Sequence, residues 1–291
     1  EGTLQRSRDI GLKPPFRGRW AGERGAQREA ATPEDIELMA KIAFVTGAAS
    51  GIGKAIALRC ITEGARVVVH GLEKDMGTEV LATIPPDQAM LHIEDLAKEG
   101  AVKNLVRLTE EKFGRIDAVV NNAAWVVSSD IKSTDITFLR KVLEVNTIAP
   151  FALIQCALPL LEKSKGCVLN IGSVNAWSGE PNLLAYSISK GALMTMTRNL
   201  GDALFREKGV RVNQINPGWV LTEKEIERKK NQGLTEDWYK EISRTFAPSG
   251  RLLSPAEIAS AAVYWLSDER GGGRKWRIRE GYVTSPRSPR F

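Results

Sequence analysis

Two residues in the stretch "YSISK" have the types and the spacing needed for proton transfer. Tyr186 and Lys190 are four positions apart, so on a helix they lie on the same face, one turn apart. A nearby ammonium group favours the phenolate, and we expect it to lower the pKa of Tyr186 from the ordinary tyrosine value of about 10. The pair therefore predicts a group that gives a proton to an alcohol oxygen or takes one from it.

Ser173 and Asn146 are candidates to complete this site. Ser173 follows the apolar run "CVLNIG". If that run is a strand of a parallel sheet, the Ser173 hydroxyl lies at the carboxyl edge, beside the crevice where ligands bind, and can hydrogen-bond a substrate oxygen. Asn146 closes the apolar-periodic segment "TFLRKVLEVN". A polar residue in such a core-facing register needs a hydrogen-bond partner or a water.

The elements that must position these residues form a regular alternation from Lys41 onward. Short β-branched runs alternate with helix-length amphipathic segments, and the runs are "KIAFVTG", "ARVVVHG", "QAMLHIE", "IDAVVNNAA", "GCVLNIGS" and "VRVNQINPG". Their apolar character is that of strands covered on both faces. The alternation predicts a parallel sheet with right-handed crossovers, and hence a doubly wound, Rossmann-like α/β fold. We expect a single domain over residues 39–268.

A glycine-rich stretch connects the first predicted strand to the first predicted helix. This stretch is "TGAASGIG", from Thr46 to Gly53. Glycines allow the backbone to turn tightly and to approach a pyrophosphate, while the start of the helix presents free N–H groups. A plain tight turn is the alternative, but the strand before and the helix after supply the context of a nucleotide site.

Together these residues resemble the short-chain dehydrogenase/reductase family from about Met39 to Asp268. The glycine motif of the family, Thr-Gly-x-x-x-Gly-x-Gly, matches Thr46 to Gly53 at each fixed position. "NNAA" resembles the family's Asn-Asn-Ala-Gly, with Ala124 in place of the last glycine. "NPGWVLT" resembles the Pro-Gly-x-x-x-Thr segment that borders the nicotinamide.

The resemblance implies an NAD(P)-dependent enzyme that interconverts a secondary alcohol and a carbonyl compound. Tyr186 would be the acid/base, Ser173 would hold the substrate oxygen, Lys190 would lower the Tyr186 pKa and hold the nicotinamide ribose, and Asn146 would fix a water. No metal is implied. The alternative is a non-catalytic nucleotide-binding or interaction protein that is impaired by an altered C-terminus.

The resemblance also implies a set of cofactor-binding residues along the chain. They are Gly47, Ser50, Gly51, Ile52, Gly53, Gly71, Asp95, Leu96, Asn122, Ala123, Tyr186, Lys190, Pro217, Gly218, Val220 and Thr222. Asp95 and Leu96 resemble the acidic-aliphatic pair that contacts the adenine in this family.

The choice between NADP and NAD depends on the stretch "VVVHGLEK". Gly71 stands where NAD-dependent relatives carry Asp, and Leu72 stands where NADP-dependent relatives often carry Arg. The missing carboxylate removes the main repulsion of a 2′-phosphate, and His70 or Lys74 could reach it. We therefore expect NADP in preference to NAD, with NAD left open.

Substrate contacts are expected from the loop after Ser173 and from the segment after the sixth strand. Besides Ser173 and Tyr186, the candidates are Asn175, Trp177 and Trp219. Aromatic faces beside polar groups fit a sugar, a polyol or another small hydroxylated compound, although the tryptophans could simply pack a lid. The charged segment after Thr222 is expected to form that lid, as two short helices around Gly233.

The two ends of the chain differ in composition from the middle. The formal charge is +6, and most of the excess lies in residues 269–291, where seven Lys and Arg stand against two Glu. Basic ends of this kind are usually solvated, so the charge does not indicate a nucleic-acid partner. We expect residues 1–38 to be a disordered extension and residues 269–291 to be an atypical basic tail.

The tail replaces the stretch where the resembling family has its last strand, so a final strand is doubtful. We therefore expect a homo-oligomer that is a dimer rather than a tetramer. No apolar run in the sequence approaches the roughly 20 residues of a membrane helix. The expected location is the cytoplasm, without a membrane partner.

Overall fold

The computed structural model describes residues 38–267, apart from residues 236, 245, 246 and 248. The strands are β1 Ile42–Val45, β2 Arg66–Gly71, β3 Ala89–Ile93, β4 Ala118–Asn121, β5 Cys167–Ile171 and β6 Arg211–Ile215. The helices are α1 Gly51–Thr62, α2 Lys74–Leu81, α3 Ala101–Phe113, α4 Ile136–Leu143, α5 Ala149–Ser164, α6 Asn175–Ser178, α7 Leu184–Lys208, α8 Glu223–Asn231 and α9 Pro255–Leu266. A π-helical turn, Glu144–Ile148, joins α4 to α5, and a 3₁₀ turn spans Trp238–Glu241.

The six strands form one parallel sheet in the order β3-β2-β1-β4-β5-β6. The chain builds outward from β1 to β3, then returns to place β4 on the other side of β1. Loops leaving β1 and β4 therefore diverge and open a crevice at the carboxyl edge of the sheet. The predicted doubly wound α/β fold is confirmed.

Alternate strand residues point to two separate cores, one on each face of the sheet. In β1, Ala43 and Val45 pack into the core formed with α1 and α9, whereas Phe44 packs into the core formed with α3, α5 and α7. A strand buried on both faces needs apolar residues at successive positions. This explains the continuous apolar runs in the sequence.

One helical run is longer and more apolar than the sequence led us to expect. From Ile136 to Ser164, α4, the π turn and α5 are continuous, and by length and composition this run could cross a membrane, with a mean hydropathy of 1.4 over an 18-residue window. The expectation that the chain has no such run was wrong. Its inner residues Leu153, Ala157 and Leu161 are buried in the core shared with α3, as in the central helix of a globular domain.

The described part of the chain begins in the core. Leu38, which we had placed in the extension, is 1% exposed, and its N–H donates to Glu63 O at 2.9 Å. At the other end, α9 packs on α1. Residues 1–37 and 268–291 lie outside the described residues, and so do our predictions about the extension, the tail and the final strand.

Candidate active site

A cleft of about 650 Å³ runs along the carboxyl edge of the sheet. This volume is in the range of small-molecule and cofactor sites. Its wall contains every residue predicted to bind a cofactor except Gly53. Among the described residues, no group of three or more His, Cys, Asp or Glu side chains lies together as a metal site would require.

The glycine-rich loop forms a cradle at the start of α1. Gly47 and Gly51 have φ values of +63° and +54°, a backbone conformation that favours glycine. Ser50 is the N-cap residue, its side chain makes no capping hydrogen bond, and the first turn of α1 contains no acidic residue. The N-terminus of α1 thus offers free N–H groups and no negative charge, which fits a pyrophosphate.

Gly53 lies behind the cleft wall, where it has a structural role; its predicted contact with the cofactor stays a prediction. A Cβ atom at Gly53 would lie 2.2 Å from Gly47 O and 2.5 Å from Asn122 Nδ2. A side chain there would therefore push the loop apart. The third glycine of the motif allows the helix to pack closely on the loop, so it shapes the site from behind the wall.

Thr46 and Asn122 tie the ends of β1 and β4 together beneath this loop. Thr46 Oγ1 accepts hydrogen bonds from the N–H groups of Asn122 and Ala123, both at 2.9 Å. The Asn122 amide donates to Thr46 O at 2.9 Å and to Gly47 O at 3.2 Å. The loop is thus held in place by side chains from both strands at the crevice.

His70 supports the same loop from β2. Its Nδ1 accepts from Gly47 N at 3.3 Å, and its Nε2 lies 2.8 Å from Glu94 O, to which it donates. Burial lowers the pKa of His70 to about 4, so the ring is neutral. His70 lines the cleft, but both of its ring nitrogens are engaged, so a contact from His70 to a 2′-phosphate stays a prediction that this hydrogen bonding does not favour.

Tyr186, Lys190 and Ser173 meet at the other end of the cleft. Lys190 is buried; its Nζ donates to Ile171 O at 2.7 Å and lies 5.6 Å from the centre of the Tyr186 ring. Burial lowers the pKa of Lys190 to about 8. Burial also raises the pKa of Tyr186, against the lowering effect of its hydrogen bond with Ser173.

We expected Lys190 to lower the pKa of Tyr186, but in the structure this pKa is raised. The ammonium points to Ile171 O at 2.7 Å, and desolvation dominates both groups. In this arrangement the phenol is the favoured form of Tyr186 at neutral pH. That form can donate a proton.

Ser173 is held by a largely buried polar network that the sequence did not predict. Its N–H donates to Asn216 Oδ1 at 3.1 Å, and Asn216 Oδ1 also accepts from Gln214 Nε2 at 2.7 Å. The network continues across the strand ends through Thr197 and Asn170 to Asn121, with distances of 2.7 to 2.8 Å. Satisfied buried networks of this kind fix side-chain positions, so this one fixes the backbone of Ser173.

Asn146 lies in the π turn and is 1% exposed. Its Oδ1 accepts from Trp125 N at 2.7 Å, and its Nδ2 donates to Trp125 O at 3.1 Å and to Ser189 Oγ at 3.0 Å. Ser189 Oγ in turn donates to Tyr186 O at 2.7 Å. The predicted need for partners is met by protein groups, and both amide hydrogens are used.

Three residues predicted to contact the substrate do not form the cleft wall. Asn175 and Trp177 lie on α6, and Trp177 is 45% exposed. Trp219 donates from Nε1 to Glu225 Oε1 at 2.9 Å, and its ring centre lies 5.1 Å from that of Trp238. Trp219 thus packs the lid, which was the alternative left open in the sequence.

The lid consists of α8 and the 3₁₀ turn, on either side of Gly233 as expected. Thr222 caps α8, and its Cγ2 atom would touch a Cβ atom at Gly51, at 3.2 Å. The lid therefore begins against the glycine loop. Residues absent from our predictions line the wall nearby: Trp125, Val126, Lys141, Val145, Lys224 and Glu225.

The end of the cleft beside β2 contains an ion pair. Lys224 Nζ of α8 lies 3.2 Å from Glu73 Oε1, across the cleft mouth. Lys74, the predicted lysine, is not part of the wall. At Gly71, a Cβ atom would lie 2.9 Å from Ala49 Cβ, so this position excludes larger side chains on steric grounds as well as leaving the site uncharged.

A glycine cradle and a tyrosine beside a buried lysine, in one cleft of a parallel sheet, define a dinucleotide-dependent oxidoreductase. A family model described as Enoyl-(Acyl carrier protein) reductase matches residues 47–273. An NADP-dependent (R)-specific alcohol dehydrogenase of Lentilactobacillus kefiri is 33% identical over 253 residues, which cover 84% of this chain and 98% of the relative.

A meso-2,3-butanediol dehydrogenase of Serratia marcescens is 32% identical over 237 residues, which cover 79% of this chain and 88% of the relative. Among solved structures, L-sorbose reductase from Gluconobacter frateurii, complexed with NADPH and L-sorbose, matches with a TM-score of 0.76 at 26% identity. That match covers 80% of this chain and 92% of the reductase. The chain belongs to the short-chain dehydrogenase/reductase family.

Proposed function

We propose that the protein is an NADP-dependent reductase that converts a carbonyl compound to a secondary alcohol, and the alcohol back to the carbonyl at higher pH. The observation that carries the proposal is the position of Tyr186, Ser173 and Lys190 in the same cleft as the glycine cradle. The bound cofactor supplies or accepts the hydride. The residues of the chain supply orientation and the proton.

Tyr186 and Ser173 act on the substrate oxygen. The Ser173 hydroxyl, whose backbone is fixed by the buried network, hydrogen-bonds the carbonyl oxygen, and Tyr186 donates its phenolic proton to that oxygen. Because burial raises the pKa of Tyr186, the phenol is protonated at neutral pH. Reduction is then favoured at neutral pH, and alcohol oxidation rises with pH as the phenolate forms.

Asn146 and Lys190 support this step from the buried side of the cleft. Lys190 lies close enough to the Tyr186 ring to stabilise a developing phenolate, and its ammonium has donors left for the nicotinamide ribose. Asn146 uses both amide hydrogens on Trp125 and Ser189. We propose that Asn146 is a positioning residue, because it joins the loop after β4 to helix α7, which carries Tyr186. The water that we expected Asn146 to bind stays a prediction.

Lys224 is the residue that we assign to the 2′-phosphate of NADP. It lies on the cleft wall beside β2 and already binds a carboxylate there. A 2′-phosphate would bring a stronger negative charge to the same place. The names of the Lentilactobacillus relative and of the sorbose reductase complex specify NADP and NADPH, which supports this choice over NAD.

The test is an assay of the purified chain with NADPH and NADH on a panel of small ketones, together with Tyr186→Phe. We expect NADPH oxidation by the parent, and turnover at least about 10²-fold lower in Tyr186→Phe, because the proton donor is lost. The NADPH dissociation constant should change by less than about twofold. Tyr264→Phe, on α9 and away from the cleft, is the matched control and should keep full activity.

Two outcomes would contradict the assignment. Substantial residual turnover in Tyr186→Phe would remove Tyr186 from the proton-transfer role. Cofactor binding without turnover of any carbonyl compound would favour the alternative, a non-catalytic nucleotide-binding protein. Thermal stabilisation by NADPH separates the two questions, since it reports binding alone.

The state of assembly and the cytoplasmic location stay proposals. Three apolar side chains are exposed on the helices that hold Asn146 and Tyr186: Ile148 at 47%, Phe151 at 44% and Ile188 at 43%. Exposed apolar side chains grouped in this way are typical of an interface. They support a homodimer through α5 and α7, which light scattering of the purified chain would test.

A further inference from the structure

The charged residues of the cleft wall are nearly all matched by partners. They are Glu73, Asp95, Lys141, Lys190, Lys224 and Glu225. Glu73 pairs with Lys224, and Glu225 pairs with Arg228 at 2.7 Å. Asp95 Oδ1 accepts from Ala97 N at 3.0 Å, and Lys190 donates to Ile171 O.

Lys141 is the exception on this wall. Within the described part of the chain, no carboxylate lies within 4.0 Å of its Nζ atom. Instead, Nζ lies 5.0 Å from the centre of the Trp125 ring. An ammonium over an indole face is attracted by the ring, but it keeps its positive charge and its three N–H donors. The wall therefore presents a positive charge without a negative partner.

The backbone of Trp125, whose ring Lys141 covers, is tied to the helix that carries Tyr186. The backbone of Trp125 is clamped by Asn146 at both its N–H and its C=O, at 2.7 and 3.1 Å. Asn146 is joined through Ser189 to the backbone of Tyr186. Three consecutive hydrogen bonds thus connect the backbone of Trp125 to the helix that carries the proton donor.

Lys141 is exposed, and apolar side chains border it on the cleft side. Trp125, Val126 and Val145 line the same wall, and Phe138 packs against Trp125 with 5.4 Å between ring centres. A positive charge at the border of apolar side chains fits a carboxylate at the end of a short carbon chain. The charge binds the acid group in a charge-assisted hydrogen bond, and the apolar groups contact the chain.

We propose that Lys141 and Trp125 form a subsite for a carboxylate, so that the substrate is an oxo acid and the product the corresponding hydroxy acid. This rests on the proposed carbonyl reduction. The carbonyl carbon gains a hydride from the reduced nicotinamide, the carbonyl oxygen gains the proton of Tyr186, and the carboxylate is unchanged. The sequence led us to expect a sugar, a polyol or another small hydroxylated compound, and the candidate contacts Asn175, Trp177 and Trp219 do not line the cleft.

The test compares acids with their neutral amides at three distances between the carbonyl and the acid group. The probes are 2-oxopentanoate, 3-oxopentanoate and 4-oxopentanoate, each beside its primary amide, with NADPH. For at least one pair we expect kcat/KM of the parent to be about tenfold higher for the acid. Lys141→Gln should lower kcat/KM of that acid by about tenfold through KM and leave the amide within about twofold.

Two variants serve as controls. Lys141→Arg keeps the charge and should restore most of the preference for the acid. Lys132→Gln removes an exposed lysine outside the cleft and should leave both members of the pair unchanged. Equal activity on acid and amide in all three pairs, or an equal loss for both in Lys141→Gln, would overturn the subsite.

A binding measurement decides the question independently of turnover. Calorimetry with 4-hydroxypentanoate, 3-hydroxypentanoate and 2-hydroxypentanoate, in the presence of NADPH, should show at least one acid bound about tenfold more tightly than its amide, with the difference lost in Lys141→Gln. A preference for acid in binding without any carbonyl turnover would support the subsite and refute the proposed reduction. Reduction of ketones, with no preference for the acid in turnover or in binding, would support the proposed reduction and refute the subsite.

Discussion

Asp117 and Lys190 are buried charged side chains at opposite edges of the sheet, and they differ in how fully their hydrogen-bonding groups and charge are matched by partners. Asp117 precedes β4 at the amino edge and is 5% exposed; its Oδ2 accepts from Ile42 N and from Arg115 Nε, both at 2.9 Å. Lys190 lies at the carboxyl edge and is 2% exposed. Among the described residues its ammonium has one hydrogen-bond acceptor, Ile171 O.

This difference distinguishes a charge that stabilises the fold from a charge that takes part in the reaction. Asp117 is neutralised by Arg115 and joins two strands, as expected of a buried charge that only has to be stable. Lys190 keeps donors without protein partners and has a depressed pKa of about 8. Such incomplete satisfaction is typical of functional sites. The two residues can therefore be told apart by what their removal changes.

The largest effect is expected for Lys190→Met. This variant removes the ammonium beside Tyr186, so we expect kcat for carbonyl reduction to fall by about 10²- to 10³-fold. Its fold should persist, because the methionine side chain suits a buried position. A steady-state assay measures the loss of activity, and circular dichroism checks that the fold persists. Turnover equal to that of the wild type would show that Lys190, like Asp117, has only a structural role.

Asp117→Ala should have the opposite profile. Removing the carboxylate leaves Ile42 N without its acceptor, and we expect the free energy of unfolding to fall by about 3 kcal/mol, measured in urea. The NADPH affinity of the folded protein should not change. Asp202→Ala breaks an exposed pair with Arg206 and is the control, with a loss below about 0.5 kcal/mol.

The pH dependence of stability sharpens the comparison. Burial lowers the pKa of Lys190 from 10.5 to about 8, so between these values the unfolded chain binds the proton and the folded chain does not. The free energy of unfolding then rises with pH across this window, and the burial penalty is fully present below pH 8. In the absence of cofactor, Lys190→Met should be up to about 3 kcal/mol more stable than the parent at pH 7.

Urea titrations of both proteins at pH 7, 8.5 and 10 provide the measurement. The difference between parent and variant should shrink steadily as the pH rises, because deprotonation relieves the penalty in the parent alone. A difference that is independent of pH would mean that Lys190 is not the group that titrates.

A smaller effect is expected at the exposed end of the cleft. Lys224→Gln should weaken NADPH binding by about fivefold and leave NADH within about twofold, because only NADPH carries the 2′-phosphate. Glu73→Gln removes a negative charge there and should strengthen NADPH. Lys74→Gln tests the lysine chosen from the sequence, and we expect no change; a loss in that variant would restore the original assignment.

The fold was largely readable from the sequence. Runs such as "ARVVVHG" are continuous because each strand is buried on both faces, and the six predicted strands are the six observed. The glycine cradle and the residues after β4 and β6 were also predictable, because their backbone geometry requires particular residue types at fixed spacing.

What the sequence did not reveal depends on contacts between distant parts of the chain. The Glu73–Lys224 pair joins the start of α2 to the lid, and the network from Asn121 to Ser173 crosses three strand ends. The direction of the Tyr186 pKa was wrongly predicted because burial cannot be read from a four-residue spacing. Trp177 lies on α6, outside the cleft wall and 45% exposed, and a four-residue helix of this kind could not be placed from the sequence.

The π turn that carries Asn146 has a consequence for how the helical run from Ile136 to Ser164 is oriented. One extra residue rotates everything after it by about 100° relative to a continuous α-helix. The phase of α4, which brings Lys141 to the cleft, is thereby set independently of the phase of α5, which turns Leu153 into the core. Deleting one residue between 144 and 148 would bring the two halves back into phase, and only one of the two faces could then keep its orientation.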